Sequence, residues 1–267
     1  MDTPVSRRCF WHIEVGEGFN CISSIVIFTI SGGISVKFEV SLEEIIFRTA
    51  DVSSFRFPRP ADFDYKPGQY MLCTINSSGK ELLHPFSLSS SPTEKDYIEF
   101  TKKFTDHEYS VALKSLKPGD RVKIDAPYGK FIFEGEYPKI GMLTGGIGIT
   151  PFRSILKYCT DMNVQSNIVL FYGCRTPVDM VFKDELEAMQ GKNSNFTAVY
   201  TVNVPNEDWK GRMGNITEDL VKKELPDYKD RVFYACGPPG MVQAMTNLIK
   251  QLGLPETQLK LENFAGY

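Results

Sequence analysis

The sequence predicts two domains in series: an antiparallel Greek-key β-barrel over residues 35–136, then an open α/β parallel sheet over 137–267, with 1–34 as an N-terminal extension. Three observations carry this. The chain has 267 residues, too many for one ordinary small domain and comfortable for two. Its first half reads as short strands cut by turns. Its second half alternates short apolar runs with helical patterns, which means a parallel sheet with right-handed crossovers.

Residues 18–36 carry no charge, yet their longest unbroken apolar run is four residues, Ile25 to Phe28. A spanning helix needs about twenty mostly apolar residues. Glu14 and Glu17 separate Arg7 and Arg8 from that stretch, which does not suit a signal peptide. The extension reads as an added hairpin or a poorly ordered segment rather than a membrane anchor. The expected setting is cytoplasmic, with reduced thiols.

In the barrel half, ISVKFEVS alternates apolar and polar residues as a half-buried strand does. Turn signals follow at Arg59-Pro60, Lys66-Pro67-Gly68, Asn76 to Gly79, Ser91-Pro92, Lys117 to Asp120 and Pro127-Tyr128-Gly129. Between them lie strand-like QYMLCTI, YIEFTKK and RVKIDA, with one short helix predicted over 110–116. The junction falls near Glu136-Tyr137-Pro138. Beyond it IGMLT, IVLFY, FTAVYT, RVFYA and QLKLE read as strands. Phe152, Ile155, Leu156 and Cys159 share one helical face, as do Phe182, Leu186 and Met189, and Met241, Met245, Leu248 and Leu252.

Composition narrows the function. With 42% hydrophobic and 24% charged residues, the chain is an average globular one. Thirty basic against thirty-three acidic side chains give a net charge of -3, which argues against a general nucleic-acid binder. Six Cys with no C-x-x-C argue against a disulfide-rich module, a zinc ribbon and a ferredoxin-type cluster. Three scattered His suggest no metal site.

The segment IGMLTGGIGITPFRSIL reads strand, glycine turn, helix. Gly145, Gly146 and Gly148 remove Cβ atoms where the chain turns tightly and a ligand could approach. Thr150 suits the N-cap and Pro151 the first helical position. Such a helix start is a site for pyrophosphate. A purely structural βα turn is the alternative, and it leaves three glycines in four positions unexplained. LLHPFSLSSSP collects a His, an aromatic and hydroxyls, or is simply an edge strand with a Ser-rich turn. In YACGPPGM a Cys ends a strand, where open α/β sheets place their ligand crevices; a small buried residue is the commoner role there.

Taken in order, His84-Pro85-Phe86-Ser87, Pro127-Tyr128-Gly129, Gly145 to Pro151, Tyr172 to Arg175, Cys236 to Met241 and Glu262 to Tyr267 resemble the ferredoxin–NADP reductase superfamily of flavoenzymes, from about residue 36 to the end. The resemblance implies FAD in the barrel, NADPH or NADH in the α/β domain, and a two-step electron transfer. In the family's Arg-x-Tyr/Phe-Ser/Thr motif the aromatic packs on the flavin and the hydroxyl bonds near N5, roles that fall to Phe86 and Ser87. His84 replaces the Arg that grips the flavin pyrophosphate, offering a weaker, pH-dependent contact. Thr101 and Lys102 match the next flavin segment, with a solvated strand edge as the alternative for Lys102 and Lys103. Ser110 matches the start of the pyrophosphate-binding helix, while His107 stands where its glycine would be.

In the second domain the resemblance assigns Gly145, Gly146, Gly148, Thr150 and Pro151 to the coenzyme pyrophosphate. It sets Cys236 over nicotinamide C4, and Gly237, Pro238 and Met241 around the ring end. Cys174-Arg175 meets the adenosine end, where the Arg charge leans slightly to NADPH. At the end of the chain the resemblance sets Glu262 and Tyr267 with Ser87 and Cys236 as catalytic residues. It implies that Tyr267 stacks on the flavin face that nicotinamide must occupy and gates hydride transfer, with a frayed tail as the alternative. The implied partner is a separate carrier of ferredoxin or flavodoxin type. A non-catalytic flavin- or nucleotide-binding subunit, and a reductase of free flavin or a small oxidant, are the alternatives.

Overall fold

The computed structural model describes residues 25–30 and 33–264. In chain order the first half comprises β1 (Ile25–Ile30), β2 (Gly33–Ser41), β3 (Glu44–Thr49), β4 (Val52–Pro58), β5 (Tyr70–Ser77), β6 (Lys80–Ser87), β7 (Tyr97–Lys103), α1 (Glu108–Lys114) and β8 (Arg121–Tyr128). They form two antiparallel sheets, ordered β1-β2-β8-β5-β6 and β3-β4-β7 and linked by a bridge between Leu88 and Phe100. Alternating residues of both sheets point into one core, where Phe38, Phe55, Met71, Phe100 and Ile124 meet. The expected barrel therefore closes in two halves around a shared interior. The short helix begins two residues earlier than its pattern predicts, because His107 ends the preceding loop in an extended conformation.

The second half comprises β9 (Lys139–Gly145), α2 (Ile149–Asp161), β10 (Asn167–Cys174), α3 (Lys183–Lys192), β11 (Phe196–Val202), β12 (Arg212–Met213), α4 (Glu218–Glu224), β13 (Val232–Gly237), α5 (Pro239–Gln251) and β14 (Leu259–Asn263). All six strands run parallel in the order β12-β11-β10-β9-β13-β14. The helices bury apolar faces on both sides of this sheet. The chain winds outward from β9 to β12, then crosses back to β13. That reversal opens a crevice between the carboxyl ends of β9 and β13, at Gly145 and Gly237.

One local expectation is corrected. Thr150 does not cap α2. A 3-10 turn over Gly146–Gly148 starts the helical winding earlier, Gly148 is the N-cap, and the Thr150 hydroxyl donates back to the Ile147 carbonyl at 3.2 Å. Pro151 consequently stands at the third helical position, still within the turn whose N–H groups have no helical acceptor. Among the described residues, no helix is long and apolar enough to cross a membrane.

Candidate active site

Two cavities flank the crevice. The larger, about 780 Å³, is lined by Thr144 to Ile147, by Cys174, Arg175 and Asp179 beyond β10, by Thr201 and Asn203, and by Met241 of α5. Asp51 and Lys103 reach it from the first domain. The smaller, about 210 Å³, is lined by Tyr70, His84, Pro85, Phe86, Ser87, Thr101, Thr150, Glu262, Asn263 and Phe264. The glycine segment is the shared wall: Thr144 to Ile147 face one cavity and Thr150 the other.

Close packing explains why glycines occupy that wall. A Cβ on Gly148 would lie 2.5 Å from the Cys236 carbonyl oxygen and 2.7 Å from Thr144 Oγ1, closer than real Cβ atoms come. Gly146 has φ +52°, a left-handed value that suits glycine. The Thr144 hydroxyl donates to the Cys236 carbonyl at 2.9 Å, tying β9 to β13 across the crevice.

On the wall of the smaller cavity, Ser87 Oγ and Glu262 Oε2 are buried without a partner. Leaving a buried hydroxyl or carboxyl unsatisfied costs on the order of 1–3 kcal/mol. A bound group with donors and acceptors would offset that cost, so the residues present fit a polar heteroaromatic cofactor such as a flavin. Burial pushes the Glu262 carboxyl up to about 7. Burial likewise raises the Cys236 thiol well above its ordinary range, with Glu262, its register neighbour on β14, adding to the shift.

The other sequence-predicted residues divide. His84 lines the smaller cavity; its Nδ1 lies 2.8 Å from the Pro85 carbonyl oxygen, and burial lowers its pKa, so the ring is neutral at pH 7. Phe86 lines the same cavity, but its ring already stacks on Phe100 at 4.2 Å and against His84 at 4.8 Å. It supplies a packed wall rather than a free stacking face. Lys102 is not a solvated edge: it is buried, and burial pushes its ammonium down to about 8. Ser110 is buried, accepts from the Thr105 N–H at 2.8 Å and lines neither cavity. Cys236 is buried among apolar residues and also lines neither. Gly145, Gly146, Cys174, Arg175 and Met241 gather around the larger cavity. Gly237 and Pro238 lie at the mouth of the crevice, beside Gly148 and at the N-cap of α5. Tyr267 lies outside the described residues, as do residues 1–24 of the extension.

Sequence reasoning missed three wall residues. Tyr70 stacks on Tyr128 at 5.7 Å beside the smaller cavity. Asp51 pairs with Lys103 at 3.1 Å on the larger one. Asp179 Oδ2 accepts from both the backbone N–H and the hydroxyl of Thr176. The Thr-Pro-x-Asp spacing signals that capping box, and it went unread.

Comparison with known proteins agrees with this geometry. Residues 37–133 match the family model for an oxidoreductase FAD-binding domain, and 142–247 match that for an oxidoreductase NAD-binding domain. An NADH-cytochrome b5 reductase 1 of Ajellomyces capsulatus is 31% identical over 85% of this chain and 78% of its own length. Its counterpart in Emericella nidulans is 32% identical over 78% and 71%. Among solved structures, the flavohaem-like FAD/NAD-binding domain of a Vibrio cholerae nitric oxide dioxygenase superposes with a TM-score of 0.76 at 24% identity, covering 85% of this chain and 98% of that one.

The chain belongs to the ferredoxin–NADP reductase superfamily. It is an NAD(P)H-dependent flavoprotein reductase whose cofactors are FAD and a nicotinamide nucleotide.

Proposed function

We propose that this chain passes electrons from NADH to a separate haem carrier of the cytochrome b5 type. The observation that carries the reading is the shared wall at 144–150, which sets the larger cavity of the α/β domain directly against the smaller one that holds the unpartnered Ser87 and Glu262. The names of the relatives favour a b5-type carrier over ferredoxin or flavodoxin. They also favour NADH over the NADPH to which Arg175 leans. Asp179 supports that choice, because its carboxylate stands with Arg175 on the same wall and would repel a 2′-phosphate.

When bound, FAD supplies an acceptor of two electrons that can be released one at a time. Ser87 would hold it with the hydroxyl now lacking a partner, and His84 and Thr101 would border it. Gly145 and Gly146 would receive the coenzyme diphosphate at backbone N–H groups, and Met241 would close over the other side. Glu262, buried with a pKa near 7, can hold or release a proton at Oε2 close to neutral pH. Cys236 remains a thiol and acts by packing rather than as a nucleophile.

The test is the absorption spectrum of purified protein before and after anaerobic NADH or NADPH. The reading requires a yellow protein that NADH bleaches faster than NADPH does. The bleached protein should then reduce cytochrome b5 faster than ferredoxin or flavodoxin. A colourless protein, or equal rates with all three carriers, would overturn it.

A further inference from the structure

We infer that Arg48, Arg153 and Glu185 form an inter-domain latch that sets how closely the coenzyme cavity approaches the flavin cavity. Arg48 is the penultimate residue of β3 in the first domain, whereas Arg153 and Glu185 stand on α2 and α3 of the second. Arg48 Nη1 donates to Glu185 Oε1 at 2.8 Å. Arg153 grips the other oxygen of the same carboxylate, through Nε at 3.0 Å and Nη2 at 2.8 Å. One carboxylate thus joins guanidiniums from both domains.

The latch continues into the first domain on two routes. Arg153 donates to the Ser89 carbonyl at 3.1 Å and pairs with Glu94. Ser154, beside it, donates to the Ser90 carbonyl at 2.6 Å. Arg48 Nε donates to Ser54 Oγ at 2.8 Å, and its Nη2 reaches the buried Glu99, which Arg56 also holds. Ser54 and Ser89 both hydrogen-bond Thr101 Oγ1, at 2.7 and 2.9 Å. Thr101 is a wall residue of the smaller cavity, and Thr150, one turn before Arg153 on α2, is another. Both routes through the first domain therefore end on Thr101 at that cavity, and Thr150 reaches it from the helix that carries Arg153.

Charge and backbone agree with a latch rather than a surface pair. Arg48, Arg56 and Arg153 face Glu94, Glu99 and Glu185 in a cluster that runs from the buried Glu99 and Arg153 out to the part-exposed Glu185, and Arg56 also meets the exposed Glu44 at its edge. Phe182, the residue before α3, takes the left-handed φ of 63°, uncommon for a bulky side chain. Its ring lies 4.8 Å from the Arg48 guanidinium and 5.8 Å from that of Arg153. That conformation aims the ring between the two cations and sets Glu185 one turn on at their junction. Neither Arg48, Arg153 nor Glu185 lines either of the two cavities described above, so their role is positioning. Hydride transfer is sensitive to ångström-scale misplacement, and the latch governs that distance.

The inference rests on the reductase reading only in its kinetic arm. Glu185→Gln, Arg48→Met and their double variant are compared as holoenzymes by two measurements. Amide hydrogen exchange in segments 88–91 and 182–186 should quicken about tenfold in each single variant, with the barrel core unchanged. Anaerobic stopped flow should show flavin bleaching slowed about tenfold, while the NADH dissociation constant stays within about twofold. The double variant should be no worse than the singles, since both break one joint. Glu185→Asp, which keeps the charge, should recover part of the rate. Wild-type exchange and rate in the singles, fully additive losses in the double, or a rate loss matched by equally weakened NADH binding would overturn the latch. Arg48→Lys keeps the charge without the fork and serves if the other variants do not fold; wild-type exchange in it would likewise overturn the proposal. If NADH fails to bleach even the parent protein, the functional reading fails, while the exchange measurement still decides the latch.

Discussion

Glu262 places one carboxyl oxygen without a partner on the smaller cavity, and burial pushes its pKa up to about 7 from an ordinary 4.5. Between those values the folded protein keeps a proton that the unfolded chain has lost. Stability therefore falls as pH rises through that window and levels off above it. Glu262→Gln removes the penalty. At pH 8 it should stabilise the flavin-free protein by on the order of 1 kcal/mol, or roughly 2–4 °C in Tm, after discounting for the part of the side chain that water reaches. The gain should vanish at pH 4.5 in thermal melts at the two pH values; an equal gain at both would remove the titration argument. Ser87 poses a simpler case. Ser87→Ala deletes an unsatisfied hydroxyl, so the flavin-free protein should melt no lower than the parent. If that hydroxyl orients the flavin, stopped-flow bleaching by NADH should slow roughly 10- to 100-fold. An unchanged rate would leave Ser87 a wall residue only.

At the scale of elements, the glycine segment and the turn after β10 decide binding. A methyl group on Gly148 would collide with the Cys236 carbonyl, which is backbone and cannot swing away. Gly148→Ala should cost about 1–3 kcal/mol of stability as overpacking and loosen both cavities at once, visible as weaker FAD and weaker NADH binding by titration. Loss of only one would mean that the wall is not shared. The turn after β10 holds Asp179 by two bonds from Thr176, a geometry that Asn can partly keep. Asp179→Asn should therefore raise NADPH use relative to NADH by about tenfold, read as the ratio of kcat/KM values, because a like charge beside the 2′-phosphate has gone. An unchanged ratio would assign coenzyme choice elsewhere.

At the scale of the whole molecule, the two domains meet where both cofactors would lie, so ligand and fold are linked. Stripping FAD should lower Tm, and restoring it to a hundred times its Kd should return about 2.7 kcal/mol, or roughly 5–10 °C, in differential scanning calorimetry. No shift would mean that the smaller cavity does not bind it. The order of domains, the parallel second sheet and the glycine crevice were legible in the sequence, because period-two alternation, strand–helix alternation and glycine spacing are local signals. The start of α2 was not, because three flexible positions let the backbone wind before Thr150 could cap it. Nor were the burial of Lys102, the stacking of Phe86 on Phe100, or the meeting of Arg48 with Glu185 across 137 positions. Periodicity marks which face of a strand or helix is apolar, and so determined the architecture and the motif positions by itself. Which rings are already stacked, which ammonium is buried and which charges pair across the domains follow from packing between elements distant in the chain, and only the tertiary structure decided them.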